Sequence, residues 1–144
     1  MERIKVLAFY KFTQFDYLSK LKASLLGCCE ANKVLGSVLI SSEGINGTIA
    51  GSEKSIDLAL SFFKSLPGCQ GLENKASFVS QMPFSKLRIR QKKEIVTMGR
   101  PEVRPNEMVG QYVNAEDWNN FISQDDVILI DTRNDYEYSI GTFK

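Results

Sequence analysis

Histidine is absent from this chain of 144 residues. That absence removes any Ser-His or Cys-His catalytic pair from within it. Cysteine is scarce: Cys28, Cys29 and Cys69 make an odd number without metal-ligand spacing, and none follows Cys69. Three thiols without imidazole offer no closed tetrahedral zinc set, so no metal is expected. Adjacent Cys28 and Cys29 fall on a helical pattern and read as small apolar packing residues. No apolar run approaches the roughly 20 residues that span a bilayer. The start, Met1-Glu2-Arg3-Ile4-Lys5, lacks the apolar core and cleavage site of a secretion signal. A cytoplasmic protein without membrane attachment is therefore expected. No flavin or Walker-type phosphate loop is evident, so nucleotide hydrolysis is not indicated.

What is present is ordinary in bulk and uneven in layout. Hydrophobic residues make up 43% and charged residues 24%, as in soluble globular proteins. Net charge is only +1, yet residues 86–104 carry seven basic and two acidic side chains. Residues 105–144 carry two basic and eight acidic ones. A basic segment beside an acidic one argues for a single localised anionic partner surface, not general polyanion adhesion.

Hydrophobic periodicity orders the rest. Ile4 to Phe12 is rich in β-branched and aromatic residues and reads as a strand. Thr13-Gln14-Phe15-Asp16 resembles a capping box ahead of a helix that carries Phe15, Leu18, Leu21, Leu25, Cys28 and Cys29. Val34 to Ile40 and Thr48 to Gly51 read as strands joined by turn chemistry. Ser52 can cap a helix that buries Ile56, Ala59, Leu60, Phe63 and Leu66 and stops at Pro67-Gly68. Ala76 to Val79 is a fourth strand. Strand, helix, strand, strand, helix, strand is the α+β, ferredoxin-like βαββαβ sandwich, with both helices on one face.

The expected domain spans residues 1–99 and ends in an extended arm from Pro83 to Gly99. Residues 100–122 form a proline-punctuated linker and a short helix capped by Asn114-Ala115-Glu116-Asp117, with Trp118, Phe121 and Ile122 on it. Residues 123–144 open a second, incomplete α/β domain with a buried strand at Val127.

Three constellations can carry chemistry. Lys86, Arg88, Arg90 and Lys92 alternate along the chain, and Lys93 follows. In an extended segment the alternate cations share one side, roughly 7 Å apart at about 3.3 Å per residue. Nucleic-acid phosphates recur on a comparable scale. Phe84 and Tyr112 can add stacking surface. The other reading is a solvated edge strand whose cations discourage aggregation. Next, Glu43, Asn46 and Gly47 lie in the segment Ser42-Glu43-Gly44-Ile45-Asn46-Gly47-Thr48. Asn46-Gly47 tolerates positive φ, so the segment is either a tight hairpin with a small anion nest or a plain connection. Last, Asp131 and Arg133 can pair and hold a loop, and Glu137 can join them. A salt-linked scaffold is preferred there, and no catalytic residue is assigned.

Residues 127–133, with Glu137-Tyr138 and Gly141-Thr142-Phe143, resemble the opening of a rhodanese domain, although many rhodaneses have His where this chain has Thr142. Joined to residues 42–48 and 86–99, they make the whole chain resemble the rhodanese-type tRNA uridine hydroxylase family. The two N-terminal motifs are the more specific part. The resemblance implies an enzyme that uses molecular oxygen as co-substrate to form 5-hydroxyuridine at the wobble position of tRNA. It implies a ferredoxin-like domain ahead of a rhodanese domain, with tRNA as partner. Rhodanese chemistry uses a loop cysteine downstream of the matched segment, so none is carried over and the chain alone is expected to be inactive. Asp131, Arg133 and Glu137 match only that domain's scaffold.

Two other functions fit the same residues. One is a rhodanese-type sulfurtransferase whose N-terminal domain docks a protein. The other is a non-catalytic RNA-binding module. Acylphosphatase shares the ferredoxin-like order, but its phosphate turn carries glycines and an arginine. Residues 12–17 have neither, so that activity is not expected.

Overall fold

The computed structural model describes residues 3–105 and 107–143. Strand β1 (Ile4–Phe12) turns Leu7 and Phe9 into the core and leaves Ala8 and Tyr10 exposed, the period-two alternation of a half-buried strand. The expected capping box at Thr13 does not form. Helix α1 (Leu18–Ala31) begins after Tyr17, whose side chain makes no cap. The backbone N–H groups of Thr13 and Phe15 donate instead to the carbonyls of Glu43 and Ser42, at 2.9 and 3.1 Å. Those bonds satisfy the chain by a route other than a helical turn, and the helix starts later.

Strands β2 (Leu35–Ser41) and β3 (Gly44–Gly51) pair antiparallel with Ser41 opposite Gly44, so the turn is Ser42-Glu43. This corrects the expected hairpin at Asn46-Gly47. Both residues lie inside β3, opposite Leu39 and Val38. Gly47 is needed for close packing, since a Cβ there would sit 2.6 Å from Ser37 O and 3.0 Å from Phe9 Cζ. The unusual backbone falls at Gly44, with φ of +153°, where a Cβ would run into the carbonyl of Lys11.

Helix α2 (Glu53–Ser65) is capped as expected: Ser55 N donates to Ser52 Oγ at 3.2 Å. It buries Ile56, Ala59 and Phe63, and the Phe63 ring lies 5.0 Å from that of Phe9. Strand β4 (Glu73–Val79) starts three residues before Ala76. Pairing with β1, from Glu73 opposite Tyr10 to Val79 opposite Ile4, sets its length rather than burial of its side chains. The segment read as an arm contains a fifth strand, β5 (Leu87–Gln91), parallel to β2.

The sheet order is β4-β1-β3-β2-β5. Both helices contribute to one core with the sheet: Leu25 and Cys29 from α1 and Phe63 from α2 pack with Leu7, Val38, Ile49 and Ile89. This is the ferredoxin-like arrangement, widened by one strand at the β2 edge. Neither α1 nor α2 lies on the opposite face of the sheet.

The chain divides into two compact units, one reaching Val109 and the other starting at Gly110. The second contains α3 (Trp118–Ile122), with Asp117, the last residue of the expected capping segment, at its N-cap but making no side-chain cap bond, and α4 (Asp135–Ile140). The strand expected at Val127 is not formed: residues 127–130 have no regular structure, and Ile128 and Ile130 are 87% and 74% exposed. A strand needs a neighbour to take its N–H and C=O groups, and among the described residues none pairs with this one. No helix among the described residues is long and apolar enough to cross a membrane.

Candidate nucleic-acid interface

Strand β5 sorts its side chains by alternation. Leu87 and Ile89 turn toward the helices and join the core, while Arg88 and Arg90 are exposed on the other face. Backbone pairing extends past both ends of the strand: Gly36 N donates to Lys86 O at 3.2 Å, and Lys92 N to Ile40 O at 2.8 Å. Lys86, Arg88, Arg90 and Lys92 therefore share one extended register, and Lys93 lies just beyond it. All five are exposed, and among the described residues none is ion-paired with a carboxylate. Neighbouring charges about 7 Å apart repel by about 0.6 kcal/mol per pair in water. The row is mildly unfavourable alone and is relieved by an anion.

Cross-strand register places further residues beside these cations. One row across the open face runs Glu73, Tyr10, Asn46, Leu39 and Arg90. The next runs Lys75, Ala8, Thr48, Ser37 and Arg88. Small side chains at Ala8 and Thr48 leave a hollow of about 340 Å³ bordered by Tyr10, Asn46, Glu73 and Lys75. Sequence reading missed Tyr10 and Lys75 as members of this face. The outward phase of Tyr10 against inward Leu7 and Phe9 was the signal that could have found it. Phe84 is half-buried just before β5, and Tyr112 lies in the other compact unit.

The turn residues separate. Glu43 N donates to Ser41 Oγ at 3.0 Å, which occupies the N–H an anion nest would need. The Glu43 carboxylate accepts from Ile95 N at 3.4 Å and ties the turn to the chain after β5. Asn46 stands on the open face of the sheet, and Gly47 packs beneath Phe9.

In the other unit Asp131 is the hub. Arg133 donates to its two carboxylate oxygens through Nε at 3.0 Å and Nη2 at 2.8 Å, and Thr142 Oγ1 donates at 2.9 Å. Arg133 also donates to Gly141 O at 2.7 Å. These bonds, led by the guanidinium, hold the Asp131 carboxyl well below the usual carboxylate range. Glu137 does not join the pair by hydrogen bond. Its carboxylate accepts from Asn134 N at 3.2 Å, in a capping box that opens α4. The thiols are quiet: burial pushes Cys29 up to about 12 and raises Cys28 and Cys69 as well, so all three stay protonated.

A protein of Gluconobacter oxydans described as "tRNA uridine(34) hydroxylase" is 49% identical over 99% of this chain and 46% of its own length. Another so described, from Roseobacter denitrificans, is 49% identical over 96% of this chain and 47% of its own. The chain thus spans about half the length of the curated relatives it matches. Among solved structures, the dark-state structure of BlrB, a BLUF protein, shares the fold at TM-score 0.51 and 14% identity, over 62% of this chain and 73% of that one. Residues 4–95 match the UPF0176 acylphosphatase like domain, and the chain belongs to that family.

Proposed function

We propose that this chain is the N-terminal part of a tRNA uridine(34) hydroxylase and that its open sheet face contacts the tRNA. The observation that carries the reading is the row Lys86, Arg88, Arg90, Lys92: exposed, in one register and without carboxylate partners among the described residues. The names of its relatives support hydroxylation of uridine 34. The whole enzyme uses molecular oxygen to convert the wobble uridine to 5-hydroxyuridine in the cytoplasm. Its rhodanese domain includes the segment with Asp131, Arg133 and Glu137 as scaffold, and its reactive cysteine lies outside this chain. The cations give affinity and position, and reading of the base falls to a pocket elsewhere.

Two measurements test this. Full-length enzyme incubated with tRNA under labelled oxygen gas should add one labelled oxygen atom to the uridine nucleoside. A thiolated product, or unlabelled nucleoside, sinks the hydroxylase reading. For the interface, Arg88→Ala with Arg90→Ala should weaken tRNA binding and lower the slope of log K against log salt by roughly 1.4 to 1.8, two phosphate contacts' worth. An unchanged slope removes the cation row from the interface.

A further inference from the structure

Resting on that RNA-binding reading, we infer that the open sheet face holds an unpaired nucleobase stacked on Tyr10, with Asn46 at its edge and Arg88 and Arg90 on the adjoining phosphates. Tyr10 is 38% exposed on a central strand, and its ring is braced edge-on by Phe12 at 6.1 Å. Beside it lies the hollow over Ala8 and Thr48. At about 340 Å³ it is at the small end of ligand sites, which run from roughly 300 to 1,000 Å³. An aromatic ring next to a shallow hollow suits a flat, π-faced ligand, and every base has such a face.

Asn46 is directly opposite Tyr10 in the β1–β3 ladder. Opposed residues have Cβ atoms about 4.5–5.5 Å apart, so the Asn46 amide reaches the rim of a ring stacked on Tyr10. A carboxamide offers both donor and acceptor, the complement of a Watson–Crick edge. In a duplex that edge is already bonded, so this pairing selects single-stranded RNA.

Charge sets the direction of the backbone. On the β4 side of Tyr10 stands Glu73, with Lys75 one row along, so that edge is near neutral. On the other side Arg90 ends the same row and Arg88 the next. Three strand spacings of about 4.8 Å separate Tyr10 from Arg90, roughly 14 Å. Two long side chains reaching inward leave the remainder for a nucleotide's sugar and phosphate. The base sits centrally and the phosphates run toward β5.

The test is fluorescence anisotropy of the chain with a labelled seven-nucleotide single-stranded RNA and with the same RNA in a duplex, at several salt concentrations. Tyr10→Leu keeps apolar bulk and removes the π-face. It should weaken single-strand binding roughly 5- to 100-fold, leave the salt slope unchanged and barely move duplex binding. Tyr10→Phe should retain binding. Asn46→Ala, on the neighbouring strand, should cost single-strand affinity roughly 2- to 10-fold and serves where Tyr10→Leu disturbs folding. If Tyr10→Leu and Asn46→Ala bind like the parent while Arg88→Ala with Arg90→Ala flattens the salt slope, the stacking site is overturned and the RNA reading survives. If the parent chain binds no RNA, both fall. A polyglutamate peptide that binds as tightly as the RNA, with no loss in Tyr10→Leu, makes the face a general anion surface and overturns stacking.

Discussion

The part of the chain up to Val109 and the part from Gly110 are ordered by different forces. The first closes on buried apolar side chains: Phe63, Leu25, Ile49 and Val38 are fully out of water. Each such burial contributes about 1.5–3 kcal/mol. The second has no buried residue among those described, and it is shaped by Asp131, Arg133, Thr142 and the α4 capping box. Ion pairs and hydrogen bonds at a protein surface add far less to stability than such burial does. A defined hydrogen-bond network does not require a buried core, and the second unit has the first without the second.

The largest expected effect strikes the first unit. Phe63→Ala empties the contact with Phe9 and should cost about 3–5 kcal/mol in urea unfolding followed by far-UV circular dichroism. Trp118, the sole tryptophan, lies in the second unit. Its emission should change along a different denaturant curve, and coincident curves would break the contrast. Smaller is Ser52→Ala, which removes the α2 cap and should cost about 1 kcal/mol by the same assay. A loss near zero would mean that the cap adds nothing to packing.

The smallest effect belongs to the second unit. Asp131 has a folded-state pKa below its ordinary value, owing first to Arg133. Its bonds therefore add stability above the ordinary carboxylate range and lose it as pH falls through the depressed folded value. Acid titration by NMR should show the Arg133 Nε–H signal persisting below the pH where free carboxylates protonate. Asp131→Asn should shift that signal at neutral pH and leave the β-sheet amides unmoved. Loss of the signal already at ordinary carboxylate pH would show that the network is not formed in solution.

Legibility in the sequence followed locality. The span Ile4–Phe12 and the Ser52 cap were readable because alternation and capping are written in neighbouring residues. Asn46-Gly47 misled for the same reason: it is a strong local turn signal, overridden by the fit of Gly47 under Phe9 and against Ser37. The start of β4 is hidden because Glu73, Asn74 and Lys75 are polar, and only its pairing with β1 marks them as strand. β5 hid behind its cations, since Leu87 and Ile89 are its only core residues. At Val127 the apolar run was legible, but a strand is a relation between two segments and one segment cannot declare it. The cation row was visible in outline, whereas Tyr10 and Asn46 join it only through the order of the strands.

β5 closes the sheet at one side, with no further strand hydrogen-bonded outside it among the described residues. Its unpaired backbone edge is a template that a second copy could extend, and mutual repulsion of the Arg and Lys side chains keeps copies apart. A polyanion that neutralises those charges also disarms the repulsion. Solutions of the chain should therefore stay clear in excess RNA or with none, and turn turbid near charge equivalence, where several copies share one strand and meet side by side.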